Sequence, residues 1–300
     1  MEALVCVVLV NYNGCQDTAE CIRSLLKCRY KNIKIIVVDN ASPKVPDKTD
    51  MEYILGNARF IRSGKNIGFA GANNLGVRHA KEYGPKYILI LNNDTVVKED
   101  FLNILIDTCE KEKQVGIATC KICYYDEPDT LWFGGSYYDS KSCEMKIEGI
   151  GEKDGPKYSV RKDLSFSTAC LWLIPLETFE KIGEMNEDYF LYYEDADYCQ
   201  RIINGGYRIL YIPEAVIYHK ESRSTKKGSF LYHYYNTRNY LYYLVKFIDK
   251  NKRYRAMFRR LYMDMKSVIR GRIPIKAEIM AWRDFVLGHK GSYGQWRKVS

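Results

Sequence analysis

Along the first hundred residues the apolar positions switch between a strand period and a helix period. Residues 4–10 form an unbroken apolar run of strand length, and Ala19, Ile22, Leu25 and Leu26 then recur at helical spacing within 17–28. Residues 33–38 are a β-branched run ending in Asp39-Asn40. Residues 59–62 make a third short strand, 70–82 a helix stopped by Gly84-Pro85, and 87–91 a fourth strand ending in Asn92-Asn93-Asp94. Strands and helices in alternation predict an α/β fold with a Rossmann-like, mostly parallel central sheet flanked by helices. Polar residues cluster just after the strand ends, where open α/β sheets bind ligands. Further on, 115–122 and 167–174 read as strands, with loops and short hairpins between them at 126–163. Residues 178–182 and 194–204 read as helices, and 207–212 and 216–218 as strands. From Ser229 onward the pattern is helical and rich in Tyr. The expected division is a catalytic unit over 1–228, with halves at about 1–123 and 124–228, and a helical extension over 229–300.

Charge sharpens that division. The net charge is +9, yet 246–300 carries fifteen Lys and Arg against four acids, so the first 245 residues are slightly acidic. A basic tail fits a polyanion or an anionic bilayer surface, or is a solvated helix face. Ten Cys in 300 residues are too sparse for a disulfide scaffold, and Cys120-x-x-Cys123 has no second pair at zinc-ribbon spacing. Thiols in a reducing cytoplasm are expected. No apolar run reaches membrane-span length, and the start lacks the basic residue and cleavage site of a signal peptide.

Candidate chemistry sits at the strand ends. No G-x-G-x-x-G follows a strand, and Gly71–Gly76 has Val77-Arg78 where a P-loop requires Lys-Ser/Thr, so neither phosphate-binding fingerprint is present. Asp39 can accept from the imide N–H of uracil or thymine, or cap a turn. Asp94 can hold Mg²⁺ or Mn²⁺ against a diphosphate, or cap a turn. Among the aromatics of 190–198, Glu194 and Asp195 form an acidic pair next to Glu187 and Asp188. That setting can raise a carboxylate into the range of a general base, and helix-dipole complementation is the alternative. Asp195 and Asp197, two apart, cannot share a helix face. His219 can add a nitrogen ligand to a metal or be structural. Lys220, Arg223, Lys226 and Lys227 after it can neutralise a diphosphate.

The order of these segments is more specific than any one of them. Val10-Asn-Tyr-Asn13, Val38-Asp-Asn-Ala-Ser42, Asn66-Ile-Gly-Phe-Ala-Gly-Ala-Asn-Asn-Leu-Gly76, Leu91-Asn-Asn-Asp-Thr95, Phe190-Leu-Tyr-Tyr-Glu-Asp-Ala-Asp197 and Ile217-Tyr-His219 follow one another. The series resembles glycosyltransferase family 2 in its bacterial rhamnosyltransferase-like branch, over about residues 3–245. The resemblance implies a GT-A fold and an inverting transfer from a dTDP- or UDP-sugar to a glycan acceptor in cell-surface polysaccharide synthesis. By position it implies Asp39 as the pyrimidine reader, with Asn11, Tyr12, Asn13, Asn66, Gly68, Asn74, Asn92 and Asn93 shaping the nucleotide-sugar pocket. It implies Asp94 and His219 as ligands of Mn²⁺ or Mg²⁺, and Asp195 as the base. Asn92 stands where the family's Asp-x-Asp motif has its first acid, so weaker metal affinity is expected.

In the extension, Tyr254, Phe258, Leu261, Tyr262 and Met265 recur at helical spacing beside Arg253, Arg255, Arg259 and Arg260. That pattern fits an interfacial helix on the cytoplasmic leaflet, where a lipid-linked acceptor is presented. Packing against the catalytic unit or a homodimer partner is the alternative. Nucleic-acid binding has no supporting motif. A non-catalytic sugar-nucleotide binder of the same fold is the remaining rival. Loops at 136–153 and 221–229 are candidates for ordering over the sugar.

Overall fold

A computed structural model describes residues 2–221 and 228–294. The first half is built from β1 (Val5–Asn11), α1 (Cys15–Lys27), β2 (Ile33–Asp39), α2 (Lys48–Asn57), β3 (Arg59–Arg62), α3 (Gly68–Lys81), β4 (Tyr87–Asn92), β5 (Thr95–Val97) and α4 (Phe101–Lys111). Then come β6 (Val115–Tyr124), β7 (Leu131–Phe133), β8 (Ser136–Asp139), β9 (Glu144–Ile147), β10 (Lys162–Leu164), β11 (Leu171–Pro175), α5 (Leu176–Ile182), α6 (Glu194–Asn204) and β12 (Arg208–His219). The extension is α7 (Phe230–Phe247), α8 (Lys250–Ile269) and α9 (Ile275–Val286).

The main sheet runs β10-β12-β6-β11-β4-β1-β2-β3, with β5 added to β12 and β7 to β6. Strands β4, β1, β2 and β3 are parallel, as the alternating pattern predicts, while β11 lies antiparallel between β4 and β6, so the whole sheet is mixed. β1 is apolar nearly throughout because it is buried in mid-sheet. Helix α3 lies on it so closely that a Cβ at Gly76 would stand 2.4 Å from Val8 Cγ1, which is why glycine occupies that turn.

Two strand readings differ from expectation for physical reasons. β11 starts at Leu171, not at 167, because the chain at 168–170 leaves the sheet to form a cavity wall. The expected strands 207–212 and 216–218 are one strand: Pro213 has no N–H to give, and pairing resumes after a register shift between Ile212 and Val216. Helix α7 packs on the sheet-bearing unit, and its Tyr243 belongs to the main hydrophobic core. The basic residues Arg223, Lys226 and Lys227 lie outside the described residues, as does most of the 221–229 loop.

Candidate active site

A cavity of about 640 Å³ opens where β1 and β4 end. Tyr12, Gly14, Asp17, Asn66, Gly68, Asn92, Asn93 and Asp94 form one wall. Trp132, 168–170, Phe190, Leu191, Tyr192, Glu194, Asp195, Leu231, Tyr235 and Tyr293 form the other. Of the residues expected from sequence, seven therefore share one space: Tyr12, Asn66, Gly68, Asn92, Asn93, Asp94 and Asp195.

The others stand behind that wall and shape it. Asn11, fully buried, donates to Asp39 Oδ1 (2.8 Å) and accepts from the Gly14 amide (3.0 Å). Asp39 is 1% exposed, and its second oxygen takes Arg62 Nη1 at 2.6 Å and the Ser42 amide at 3.2 Å. Recognition of a base by Asp39 thus requires exchange of one of these partners; Arg62, with 58% of its side chain exposed, is the freest to leave. Asn13 accepts from the Lys44 amide and gives its own amide to Ser42 Oγ. Asn74 is a brace: it accepts from the Met185 amide and donates to the Met185 carbonyl, both at 2.9 Å, across 111 residues of sequence.

Asp94 and His219 meet through strand pairing. β5 runs antiparallel to β12 with Thr95 opposite His219, and the Lys220 amide donates to the Asp94 carbonyl at 2.9 Å. That register sets His219 Nε2 3.1 Å from Asp94 Oδ1, with both residues buried. The Trp132 ring meets the imidazole edge-on at 4.5 Å. His219 Nδ1 has no hydrogen-bond partner among the described residues. Asp94 Oδ1 and His219 Nε2 are an oxygen and a nitrogen donor that Mn²⁺ or Mg²⁺ would share, provided a diphosphate supplies further oxygens. Lys220 is not free to reach a phosphate without exchanging partners: it pairs with Asp17 (2.9 Å) and Glu20 (2.5 Å).

Across the cavity, Glu194 and Asp195 open α6. Burial pushes the Asp195 carboxyl up to about 6, partly opposed by the amide of Ala196, which donates to Oδ1 at 2.8 Å. Burial pushes Glu194 well above the usual carboxylate range too, and the adjacent Asp195 charge adds to it. The remaining acids of the segment are committed elsewhere. Asp197, fully buried, pairs with Arg201 (2.8 Å) and Lys246 (2.5 Å), while Glu187 faces Arg78 and Asp188 faces Lys290. Only the first two acids of 194–197 face the cavity, as the two-apart spacing of Asp195 and Asp197 predicts.

The turn before α6 is strained. Phe190, Tyr192 and Tyr193 have φ of 66°, 67° and 73°, at a cost on the order of 1–3 kcal/mol each. Gly68 lies against it: the Phe69 amide donates to the Phe190 carbonyl (2.9 Å), and a Cβ on Gly68 would sit 2.3 Å from that oxygen. Gly68 also has φ of +78°, so both contact and conformation require glycine here. Sequence reasoning missed Trp132, Tyr235 and Tyr293 as cavity residues. One lies on a three-residue strand, one in a Tyr-rich helix and one beyond the last helix, and none of these settings carries a local signal of a shared wall.

Residues 6–183 match the profile described as Glycosyl transferase family 2. The chain is 28% identical over 254 residues to rhamnosyltransferase WbbL of Escherichia coli K12, covering 79% of this chain and 92% of that protein. It is 26% identical over 231 residues to dTDP-rhamnosyl transferase RfbF of Shigella flexneri, covering 73% and 70% respectively. It is 23% identical over 251 residues to an N-acetylglucosaminyl-diphospho-decaprenol L-rhamnosyltransferase of Mycobacterium tuberculosis H37Rv, covering 75% and 78%. Among solved structures, GalNAc-T7 with UDP, GalNAc and Mn²⁺ superposes with a TM-score of 0.63 at 17% identity, over 79% of this chain and about half (47%) of that one. The mannosyltransferase PcManGT from Pyrobaculum calidifontis, with GDP-Man and Mn²⁺, gives 0.55 at 15% identity over 99% and 83%. The fold is that of GT-A glycosyltransferases.

Proposed function

Because the chain belongs to glycosyltransferase family 2, we propose that it is an inverting, metal-dependent hexosyltransferase, and that it moves rhamnose from dTDP-rhamnose to a glycan acceptor. The names of three relatives support that donor sugar. The observation that carries the chemistry is the facing arrangement of one cavity, with Asp94 on one wall, His219 behind it and Asp195 on the other. The nucleotide lies over the ends of β1 and β4 among Tyr12, Asn66, Asn92 and Asn93. Its imide N–H takes the place of Arg62 on Asp39. Asp94 and His219 hold Mn²⁺ or Mg²⁺, which when bound neutralises charge on the departing diphosphate. Asp195 takes the proton of the acceptor hydroxyl as that oxygen bonds the anomeric carbon and the bond to the diphosphate breaks on the opposite face. One displacement inverts the configuration.

The exposed face of α8 adds a site of action. Phe258 is 75% exposed, Tyr262 61% and Tyr254 55%, beside Arg255 and Arg259, an aromatic and basic surface suited to an anionic bilayer. No helix among the described residues is long and apolar enough to cross a membrane. The reading is peripheral attachment at the cytoplasmic leaflet beside a lipid-linked acceptor.

Calorimetry with dTDP and UDP, with and without Mn²⁺, tests the donor side. Wild type is expected to bind dTDP more tightly with Mn²⁺, and Asp94→Ala to lose that gain. Equal Mn²⁺ enhancement in both would remove the metal role from Asp94.

A further inference from the structure

We propose that Asn239 and Arg238 of α7 are positioning residues for the base: together they hold the 189–193 turn in the strained shape that presents Asp195 to the cavity. The inference rests on the reading of Asp195 as base. Both side chains are fully buried, which is rare for an arginine and demands that every donor find a partner. The two N–H groups of Asn239 Nδ2 are shared among three backbone carbonyls of that turn, those of Tyr189 (2.9 Å), Leu191 (2.8 Å) and Tyr192 (2.8 Å). Regular backbone does not aim three carbonyls from four consecutive residues at one point. The left-handed geometry at Phe190 and Tyr192 does, and one amide group gathers them.

Arg238 fixes which way that amide faces. Its Nε donates to Asn239 Oδ1 (3.0 Å), so the oxygen is committed to the guanidinium and the NH₂ must turn to the carbonyls. Its Nη2 adds a second grip on the Tyr189 carbonyl (3.2 Å), and its Nη1 donates to the Gly291 carbonyl (2.9 Å), two residues from cavity-lining Tyr293. Tyr235, one turn earlier on α7, stacks on Phe190 at 5.5 Å. On the other side the turn is pinned by the Phe69 amide and by Gly68. The turn that leads into Asp195 is thus held from both sides. Thr237 of the same helix bonds Glu278 instead (2.9 Å), a buried hydrogen bond that does not touch the turn.

The test uses the full chain and, as probe, whichever of dTDP-rhamnose, UDP-galactose and UDP-N-acetylglucosamine the wild type hydrolyses fastest. Asn239→Asp keeps the shape and removes the donors, Asn239→Ala removes both, and Asn239→Ser restores one donor. Thr237→Val is a control for loss of a buried hydrogen bond on the same helix. Asn239→Asp and Asn239→Ala are expected to lower kcat about 10- to 100-fold. Donor KM and nucleotide Kd are expected to stay within about twofold. Asn239→Ser recovers part of the loss, and Thr237→Val lowers the melting temperature without lowering kcat. Wild-type kcat in Asn239→Asp, alongside an inactive Asp195→Asn, would overturn the positioning role alone. So would a fall in kcat that follows melting temperature equally in the Thr237 and Asn239 variants. Wild-type kcat in Asp195→Asn would overturn the base assignment and this inference with it. If Asn239→Asp does not fold, the Ala and Ser pair decides by the same criteria.

Discussion

Helices α7 and α8 both mix Tyr, Leu and Phe with Arg and Lys, yet the fold places them in opposite surroundings. On α7 the aromatic Tyr234, Tyr240 and Tyr243 and the cationic Arg238 are all buried, and on α8 Tyr254, Phe258 and Tyr262 face outward. The difference lies in partners. α7 meets a groove lined with groups that answer its polar atoms: Asp284 accepts from Tyr234 (2.7 Å), Glu278 from Thr237, and the turn carbonyls from Asn239. α8 is fastened along one edge, where Arg260 reaches Glu144 of β9 (3.2 Å) and Thr237 of α7 (2.9 Å), and its other side is exposed among the described residues. Long amphipathic side chains tolerate either fate, so composition alone does not choose between core and surface. The neighbours choose.

Two substitutions test that contrast. Arg238→Ala takes the guanidinium donor from Asn239 Oδ1 and from the Gly291 carbonyl in a buried site. It is expected to cost about 3 kcal/mol or more, read as a lower midpoint in chemical denaturation. A loss under about 1 kcal/mol would mean that the groove tolerates the gap and that α7 is not held as described. Phe258→Ser combined with Arg259→Ser on α8 is expected to change stability by no more than about 0.5 kcal/mol. It should nonetheless weaken flotation on anionic vesicles about 10-fold, with little effect on neutral ones. Undiminished flotation would leave the exposed face of α8 to some other partner.

Much of the fold was legible because periodicity is local. Helix α6 and strand β3 fall where spacing and stop signals put them, and β1, β2 and β4 differ from expectation by a residue or so at their ends. Helix α2 carries no expectation because only Ile54 on it is buried; its Asp47 cap, which takes the amides of Thr49 and Asp50, is its one local sign. Helix α4 likewise carries none, although Phe101, Leu102, Leu105 and Ile106 do fall on one face. The cavity was legible where motifs end strands, as at Asn92, Asn93 and Asp94. It was not legible where function depends on tertiary convergence. Nothing local says that Asn11 and Asn74 brace the walls, that Asp39 is already paired with Arg62, or that Asn239 gathers three carbonyls some fifty residues upstream in sequence.

Asp195, its carboxyl pushed up by burial, is the proposed base. Protonation disables a base, so activity must fall as pH drops through the folded-state value of about 6, well above the ordinary aspartate near 4. The direct measurement is the pH dependence of kcat/KM for sugar transfer or donor hydrolysis, on wild type and on Asp195→Asn. The prediction is an acid limb near pH 6 in the wild type and no more than residual activity in the variant. Full activity in Asp195→Asn, with the same acid limb retained, would contradict it.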